Sequence, residues 1–562
     1  MMKGSKIIIE SLLQEKVDTI FAYIGGQVIS IFDELYQYGD RLQVIRPHHE
    51  QAGTHAADGY SRSTGKVGVV LVTSGPGATN TVTGIATAYM DSVPLVILTG
   101  QILSSKIGTD AFQEADIIGI TLPITKANFL VRDVSDLAPT IKKAFHIARS
   151  GRPGPVLIDI PSDIQNSYTS FVYPKTTDLK GLLPTPKIHP RQVTTAWEMI
   201  KKSRRPLALI GGGVTFSEAA SLIDKFLDTY QIPAVYTLMG HGLNPKSREL
   251  VLGGIGMHGT PVGNYALQHA DLILALGTRF SDRILGNPQT FASQAKIVQV
   301  DIDPAEIGKN RPVDVSITGR TGSFLQALQK IGAPGSNRTP WVAELAAIRQ
   351  KNPITYGSNG RLKPQKVIEQ LCRHFPQNTI VAADVGQNQM WVSQYFRFTA
   401  PRCFLSSGGL GTMGYALPAA IGARVGNPER AVLMVAGDGG FQMNIQELAT
   451  IKKHNLLLKM VVLDNGYLGM VRQWQELLCQ KRYSGTDMHG NPDFSAIARA
   501  YDIKASTISH PDECEAAVAE LARSSESMLL HAKIDPGENV FPMVPPGESL
   551  NKMIIHKKTG EP

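Results

Sequence analysis

Two short polar segments in the last third of the chain carry the residues best suited to chemistry. Asp438 follows the apolar run 431–436 after one glycine, and Asn465 follows the apolar run 458–463 after one aspartate. Apolar runs of this length are typical of buried parallel strands. Both residues are therefore predicted at the carboxyl edge of one sheet, which is where α/β sheets bind ligands.

The side chains at these positions predict a metal–diphosphate site. A carboxylate, an amide oxygen and nearby backbone carbonyls are the hard oxygen ligands that Mg²⁺ prefers, and Mg²⁺ often bridges to phosphates. The neighbouring glycines Gly439 and Gly440 let backbone N–H groups approach a phosphate. Each segment alone is more typical of an ordinary turn. Their order, separated by a predicted helix over 444–453, favours the metal site.

Two features near the amino end add to this pattern. Glu50 follows two histidines and opens a predicted helix, a position where a lone glutamate usually serves the helix dipole. The apolar run after that helix ends in the glycine-rich segment 73–80, which opens another helix. Such a turn is a weak phosphate signal when taken alone.

Composition limits the class of protein. The 562 residues exceed a single core and predict three or four domains, and 43% hydrophobic with 19% charged residues is ordinary for a soluble enzyme. The net charge of +8 is scattered, so nucleic-acid binding is not expected. The four cysteines have neither zinc nor disulfide spacing. With no signal segment and no run long enough for a bilayer, we expect a cytoplasmic protein without membrane contact.

The chain divides into three parts. Stretches 171–190 and 333–364 are rich in proline and glycine and read as linkers. Each part alternates apolar runs with amphipathic segments, which predicts an α/β fold of three doubly wound parallel-sheet domains, at 1–175, 190–335 and 360–550. The predicted strands are 67–73, 93–100, 156–160, 207–210, 272–276, 296–301, 379–382, 431–435 and 458–463.

Together, Glu50, the glycine-rich turn and the late Asp/Asn pair have the order and spacing of thiamine diphosphate enzymes. The chain resembles that family along essentially its whole length. Within it, the chain is most similar to the large catalytic subunits of biosynthetic, FAD-containing acetohydroxyacid synthases (acetolactate synthases). The segments that carry this resemblance are GTDAFQE (108–114), SGRPGP (150–155), GMHGT (256–260), GTMGYA (411–416), GMVRQWQ (469–475) and PMVPPG (542–547). The first and fifth are the most specific.

The resemblance implies that pyruvate is decarboxylated on thiamine diphosphate and that the two-carbon hydroxyethyl unit passes to a second 2-oxo acid. With pyruvate or 2-oxobutanoate as acceptor, the products are 2-acetolactate or 2-aceto-2-hydroxybutanoate, for branched-chain amino-acid synthesis. Another thiamine diphosphate-dependent decarboxylase, carboligase or lyase, or a catabolic acetolactate synthase, stays an alternative. A catalytically silent nucleotide-binding or regulatory protein is the alternative outside enzymes.

The resemblance also implies roles for residues at the thiamine site. Glu50 matches the glutamate that bonds the pyrimidine ring, and Met413 matches the apolar residue beneath the bent cofactor. Asp438, Asn465 and the backbone carbonyl of Tyr467 match the Mg²⁺ ligands. The other positions that match cofactor contacts are Gln113, Gln387, Asn388, Gly411, Gly439 and Gly440. In this family Glu50 and Asp438 come from different subunits, so a homodimer or homotetramer with active sites at the subunit interface is implied.

Further roles are implied for the site entrance and the central domain. Gln113 and Lys126 would line the entrance, and Trp474 would shape the second-substrate pocket. The central domain would bind FAD with no net redox role, and its stretch 279–283 separates this type from catabolic synthases. The matching FAD positions are Arg152, Gly211, Gly212, Gly213, His258, Gly277, Arg279, Arg283, Asp301 and Asp303. A small regulatory subunit is a candidate partner.

Five positions depart from the family pattern. His48, Asn388 and Asp464 replace the usual arginine, histidine and asparagine. Gln27 stands where alanine is usual in a loop that faces the reacting carbon, which leaves the acceptor preference open. Arg320 stands where an aspartate normally contacts the adenosine end of the flavin, which leaves FAD binding open.

Overall fold

A computed structural model describes residues 1–177, 187–332 and 337–555. Parts of the two predicted linkers, 178–186 and 333–336, lie outside the described residues. Within the described ranges, three parallel six-stranded sheets are flanked by helices, which confirms the predicted fold class. No helix among these residues combines the length and the apolar character needed to cross a bilayer.

The amino-terminal part contains eight strands among its described residues. They are β1 (Met2–Lys3), β2 (Thr19–Ala22), β3 (Gln43–Ile45), β4 (Gly68–Val72), β5 (Leu95–Gln101), β6 (Ala127–Leu130), β7 (Val156–Pro161) and β8 (Tyr168–Thr169). Its helices are α1 (Gly4–Gln14), α2 (Ile29–Leu35), α3 (Glu50–Thr64), α4 (Pro76–Thr79), α5 (Val82–Met90), α6 (Ile117–Thr121), α7 (Leu137–Arg149) and α8 (Ser162–Asn166). The main sheet has the order β3-β2-β4-β5-β7-β6, and β1 pairs with β8.

The central part has the sheet order β11-β10-β9-β12-β13-β14, with strands numbered along the chain. They are β9 (Pro206–Ile210), β10 (Ala234–Tyr236), β11 (Val251–Gly254), β12 (Leu272–Leu276), β13 (Lys296–Asp301) and β14 (Val315–Thr318). The helices are α9 (Pro190–Lys202), α10 (Gly212–Thr215), α11 (Ala220–Tyr230), α12 (Pro261–His269), α13 (Asp282–Leu285), α14 (Thr321–Ile331) and α15 (Thr339–Lys351).

The carboxyl-terminal part repeats this arrangement. Its strands are β15 (Ile380–Ala383), β16 (Phe404–Leu405), β17 (Val432–Gly437), β18 (Lys459–Asp464), β19 (Lys504–Ile508) and β20 (Met528–Lys533). Its helices are α16 (Pro364–His374), α17 (Gln387–Tyr395), α18 (Ala416–Gly426), α19 (Asp438–Gln442), α20 (Leu448–Lys453), α21 (Gly469–Leu478), α22 (Phe494–Ala500) and α23 (Cys514–Arg523). The sheet order is β16-β15-β17-β18-β20-β19.

Each of the nine predicted strands is present, because their apolar runs are long enough to be buried on both faces of a sheet. The helix predicted over 444–453 begins instead as a 3₁₀ turn, Ile445–Glu447, and continues as α20. The strand order reverses between β2 and β4, between β9 and β12, and between β15 and β17. Ligands of open α/β sheets bind at such reversals, so the fold offers three candidate sites.

A close contact between α3 and α18 joins the amino-terminal and carboxyl-terminal parts. A Cβ atom at Gly59 would overlap the backbone of Ala419, and one at Gly422 would overlap the carbonyl oxygen of Ala56. The two helix backbones therefore touch directly. Because Glu50 is the first residue of α3, this contact also determines where Glu50 lies.

We expect Gly422→Ala to lower the urea midpoint of unfolding. The added methyl group has no space against the Ala56 carbonyl, and overpacking of this kind costs about 1–3 kcal/mol. Circular dichroism during a urea titration measures the change. Gly39→Ala is the control, because Gly39 has helical backbone angles and open space around its Cβ position. Equal midpoints for Gly422→Ala and the wild type would contradict the direct backbone contact.

Candidate active site

Asp438 and Asn465 leave the same edge of the carboxyl-terminal sheet. β17 and β18 are neighbouring parallel strands, with Gly437 paired to Leu463 at their carboxyl ends. Asp438 is the first residue of α19 and is 1% exposed. Asn465 begins the turn after β18. This edge adjoins the reversal of strand order between β15 and β17, so both side chains lie where the topology predicts a ligand.

The buried edge brings two carboxyl groups together. Asp438 and Asp464 lie within hydrogen-bonding reach of each other, and burial together with the charge of Asp464 raises the pKa of Asp438 to about 7. Burial also acts to raise the pKa of Asp464, but the hydrogen bond from His531 (Nε2 to Oδ2, 2.8 Å) and its charge outweigh burial and lower that pKa. Two converging carboxylates in a dry site are stabilised by a divalent cation, so the residues present fit Mg²⁺.

The other predicted metal ligands are held in one turn. Asn465 Nδ2 donates to Gln387 Oε1 (3.2 Å), and Asn465 Oδ1 accepts from the backbone N–H of Tyr467 (3.0 Å). Gly466 between them has φ +68°, a left-handed conformation that favours glycine. Among the described residues no cluster of three histidine, cysteine, aspartate or glutamate side chains could hold a metal ion. The candidate ligands are thus one carboxylate, one amide oxygen and one carbonyl.

The residues predicted to contact the diphosphate, and the apolar residue predicted to lie beneath the bent cofactor, surround the same edge. Met413 Cε lies 3.5 Å from the position that a Cβ atom would take at Gly439. Asn388 Oδ1 lies 3.4 Å from the corresponding position at Gly437, and its Nδ2 donates to the carbonyl of Asp384 (2.7 Å). A Cβ atom at Gly440 would overlap the Asp384 carboxylate. Small residues are therefore required along the start of α19.

Asp384 is a buried residue of this site that the sequence analysis did not predict. Its carboxylate accepts hydrogen bonds from the backbone N–H groups of Gly414 (3.0 Å) and Ala416 (2.9 Å), and burial raises its pKa to about 6. These bonds hold the loop that carries Gly411 and Met413. Asp384 directly follows the apolar strand β15, as Asp438 follows β17, so the same strand-end argument could have found it.

Glu50 belongs to a second group of residues, around the turn after β4. Glu50 Oε2 accepts a hydrogen bond from Asn80 Nδ2 (2.9 Å), and Oε1 lies 3.5 Å from the Cβ position of Gly77. The backbone of Gln113, with φ +63°, packs against Gly75. The structure thus brings together Glu50, the glycine-rich turn and the GTDAFQE segment. Asn80 is the last residue of the glycine-rich segment 73–80, and the sequence pattern does not indicate its contact with Glu50.

Within the described residues, no hydrogen bond or ion pair joins Glu50 to Asp438 or Asn465. One link between the two regions is Glu447, whose carboxylate accepts the backbone N–H of His48 at 3.0 and 3.2 Å. Glu447 precedes α20, in the segment that begins at Asp438. Among the described residues, the two predicted halves of the thiamine site thus share no direct hydrogen bond or ion pair within one chain.

The predicted FAD glycines lie at the reversal of strand order in the central sheet. A Cβ atom at Gly211 would overlap the carbonyl oxygen of Gly277. Gly213 donates its backbone N–H to the same carbonyl (3.1 Å). A Cβ atom at Gly212 would lie 3.2 Å from Met239 Cβ. Asp301 ends β13, next to β12, and burial raises its pKa to about 6. The glycine turns and one acidic side chain thus share this edge.

Arg152 bridges the amino-terminal part to this edge. Its guanidinium contacts Asp303 Oδ2 (3.3 Å) and Glu306 Oε1 (2.7 Å). Lys126 lies nearby, where burial and the charge of Arg152 lower its pKa to about 8 and its Nζ donates to the carbonyl of Ser150 (2.6 Å). No described contact joins Lys126 to the loop at Gln113, although the two were predicted to line one entrance.

Trp474 and its neighbours connect α21 to the central part. The guanidinium of Arg283 lies 5.7 Å from the centre of the Trp474 ring. His258 Nδ1 lies 3.1 Å from the carbonyl of Pro542, and burial lowers the pKa of His258 to about 4. The carbonyl of Arg279 accepts a hydrogen bond from Asn310 (3.1 Å).

The structure also locates Gln27 and Arg320, two of the residues that depart from the family pattern. The carbonyl of Gln27 accepts a hydrogen bond from Gln165 Nε2 (2.7 Å), which holds its loop against α8. Arg320 follows β14 and lines a cavity of about 560 Å³ beside α9. That cavity lies on α9 and α14, and its lining includes none of the predicted flavin residues.

Three protein-family models match successive parts of the chain. They are the amino-terminal TPP binding domain (2–120), the central domain (193–328) and the carboxyl-terminal TPP binding domain (384–532) of thiamine pyrophosphate enzymes. Each range contains one of the three sheets or most of it. The thiamine diphosphate resemblance is therefore confirmed, whereas the exact domain limits stay a prediction.

Relatives of known name align over nearly the full chain. The "Probable acetolactate synthase large subunit" of Methanococcus aeolicus is 43% identical, with 98% of this chain and 95% of the relative covered. The "Acetolactate synthase isozyme 2 large subunit" of Escherichia coli is 42% identical over 98% and 99%. The chain belongs to the acetolactate synthase large-subunit family. The large subunit of Haemophilus influenzae, at 40% identity over 100% and 99%, is a further member of this family.

We expect Glu447→Gln to flatten the pH dependence of thermal unfolding. Burial raises the pKa of Glu447 to about 7 from an ordinary 4.5, so the folded chain keeps a proton that the unfolded chain releases. This stabilisation is complete below about pH 4.5 and is lost as the pH rises through about 7. The unfolding midpoint of the glutamine variant should therefore fall less over that range.

Differential scanning fluorimetry across this pH range measures the effect. Glu429→Gln, which replaces an exposed glutamate on the same part of the chain, is the matched control. Parallel midpoint curves for Glu447→Gln and the wild type would show that Glu447 is not held as described.

Proposed function

We propose that this chain is a catalytic acetolactate synthase subunit that decarboxylates pyruvate and transfers the two-carbon unit to a second 2-oxo acid. The observation that carries the proposal is the pair formed by the buried carboxyl group of Asp438 and the half-buried one of Asp464, beside Asn465 at the carboxyl edge of the sheet. The same chain presents Glu50 at the start of α3, and its family is named for this reaction. The domains would be 1–175 for the pyrimidine, 190–335 for FAD and 360–550 for the diphosphate.

Thiamine diphosphate, when bound, supplies a nucleophilic carbon that adds to the carbonyl group of a 2-oxo acid. Asp438, Asn465 and the carbonyl of Tyr467 would hold Mg²⁺, which in turn binds the diphosphate. The backbone N–H groups of Gly439 and Gly440, at the start of α19, would donate to phosphate oxygens. Gln387, Asn388, Gly411 and Met413 would complete the contacts to the cofactor.

Glu50 would hold and move a proton at the pyrimidine ring nitrogen. Asn80 donates to Glu50 Oε2, which orients the carboxyl group, and Oε1 would then be available to the ring nitrogen. A carboxyl group can share its proton strongly with a ring nitrogen only in a site that excludes water. Water exclusion also favours decarboxylation, because the carboxylate of pyruvate loses its localised charge in the transition state.

The substrate side would be formed by Gln113, Lys126 and Trp474, with Gln27 beside the reacting carbon. Trp474 packs against Arg283, so its ring is oriented by a cation contact from the central domain. We propose pyruvate and 2-oxobutanoate as acceptors. The polar side chain of Gln27 would set the ratio between them.

We propose a homodimer or homotetramer in which each active site combines Glu50 of one copy with Asp438 of another. The two groups do not contact each other in one chain among the described residues, and the loop beside Gln113 exposes Phe112 (86%). Leu103 and Ile107 of the same segment are also exposed, and a group of exposed apolar side chains would be covered by a partner copy. The family relatives are named large subunits, which supports a small regulatory subunit as a partner, and we propose the cytoplasm as the location.

We propose FAD as a bound group of the central domain, without a net redox role. The paired turns at Gly211 and Gly277 would admit a nucleotide close to the backbone, and Asp301 would accept from a ribose hydroxyl group. Arg152 and Asp303 would border the same edge. Gly212, Gly213, His258, Arg279 and Arg283 are the remaining proposed contacts.

Product analysis tests the proposed reaction. With thiamine diphosphate and Mg²⁺ present, we expect pyruvate alone to yield 2-acetolactate, and pyruvate with 2-oxobutanoate to yield 2-aceto-2-hydroxybutanoate as well. Glu50→Gln should lose at least about 99% of this turnover, because glutamine cannot donate and recover the proton; general acid–base catalysis contributes on the order of 10²–10⁴ in rate.

The matched control is Glu10→Gln, which replaces a carboxylate of α1 that bonds Tyr38 and lies outside the site. Acetaldehyde as the sole product would favour a simple decarboxylase. Full activity of Glu50→Gln would contradict the proposed thiamine diphosphate mechanism.

The absorbance spectrum of the purified protein tests the flavin proposal. We expect the visible bands of an oxidised flavin, and Arg152→Ala should reduce the bound fraction at least severalfold, since Arg152 borders the site. Heat release and chromatography would identify the flavin as FAD. A colourless protein that also fails to bind added FAD would show that Arg320 and its surroundings have abolished the site.

A further inference from the structure

Asn491 lies between the two carboxyl groups of the candidate metal site. Its Nδ2 donates to Asp438 Oδ2 (2.6 Å) and to Asp464 Oδ1 (3.3 Å). Asn491 belongs to none of the sequence motifs described above. It lies in the segment between α21 and α22, far from both aspartates in sequence. An amide group between two converging carboxylates separates like charges that would otherwise repel each other.

The orientation of the Asn491 amide is determined by a third side chain. Gln442 Nε2 donates to Asn491 Oδ1 (2.9 Å) and also to the backbone carbonyl of Asp438 (3.2 Å). The oxygen of Asn491 therefore faces Gln442, and both hydrogens of its nitrogen face the carboxylates. Because Gln442 is the last residue of α19, the helix that begins at Asp438 also orients the group that bonds Asp438.

The segment that carries Asn491 is tied to the metal-binding turn by backbone hydrogen bonds. Met488 donates its N–H to the carbonyl of Gly466 (3.0 Å), and Asn491 donates to the carbonyl of Met488 (3.2 Å). Leu468 donates in turn to the carbonyl of Thr486 (2.8 Å). The position of Asn491 is thus set by the turn that supplies Asn465 and Tyr467.

We propose that Asn491 is a positioning residue for the metal site, which orients the Asp438 carboxylate toward Mg²⁺ and separates it from Asp464. This inference rests on the proposed function, because it concerns the metal that holds the diphosphate. Residues that orient metal ligands typically change metal affinity 10- to 100-fold when they are replaced. Asn491 would contact neither the metal nor the substrate.

Calorimetric titration of Mg²⁺ into the full-length protein, in the presence of excess thiamine diphosphate, tests the proposal. Asn491→Ala should raise the Mg²⁺ concentration at half-saturation by about 10- to 100-fold.

A double-mutant cycle with Asp464→Asn separates positioning from a general loss of structure. In the Asp464→Asn background only one carboxylate remains, so Asn491→Ala should have a clearly smaller effect on half-saturation than in the wild type. Equal effects in both backgrounds would overturn the role of Asn491 as a separator of the two carboxylates.

Asn427→Ala is the matched control. Asn427 also donates two hydrogen bonds from its amide group, to Ser63 Oγ (3.0 Å) and to the carbonyl of Ala423 (2.9 Å), but it lies at the end of α18. We expect this variant to lower the unfolding midpoint of the cofactor-free protein and to leave Mg²⁺ half-saturation unchanged. If Asn491→Ala destabilises the protein equally, the two half-saturation values still distinguish them.

The outcomes separate this inference from the proposed function. Failure of the wild-type protein to bind Mg²⁺ with thiamine diphosphate would overturn both. Normal binding by the wild type together with unchanged half-saturation in Asn491→Ala would overturn the positioning role alone, because the metal site would then be intact without it.

Discussion

The convergence of the buried carboxyl group of Asp438 and the half-buried one of Asp464, at the ends of β17 and β18, is the constraint on which the site depends. Two carboxylates in a dry environment repel each other, and the chain compensates with His531 on Asp464 and Asn491 between the pair. In the proposed function a divalent cation would complete this compensation. The surrounding structure can be understood as the support that keeps Asp438 and Asp464 this close.

Close packing also determines the contact between α3 and α18. Gly59 and Gly422 let two helix backbones touch, which places the amino end of α3 against the segment that follows Asp438. Glu447 then accepts the backbone N–H group of His48, two residues before Glu50. This contact therefore links the residue proposed to move a proton to the segment proposed to bind the metal, and in the proposed assembly these two belong to different active sites.

Much of this could be predicted from the sequence, because strand ends in α/β sheets follow local rules. Apolar runs that stop at a polar residue identified Asp438 and Asn465, and the same rule applied to the run before Asp384 would have identified that residue too. Asn80 and Asn491 carried no such signal. Their roles depend on side-chain contacts across 30 and 53 residues of sequence, which no local pattern encodes.

The amino-acid sequence by itself determined the fold class, the family and the strand ends at which the chemistry would lie, since these follow from hydrophobic periodicity and from short motifs. Only the tertiary structure decided that Glu50 and Asp438 form separate groups in one chain, that Lys126 lies with Arg152, and that Asn491 stands between two carboxylates. The physical reason is that charge separation and hydrogen bonding depend on distances between side chains, which are set by packing of the three sheets.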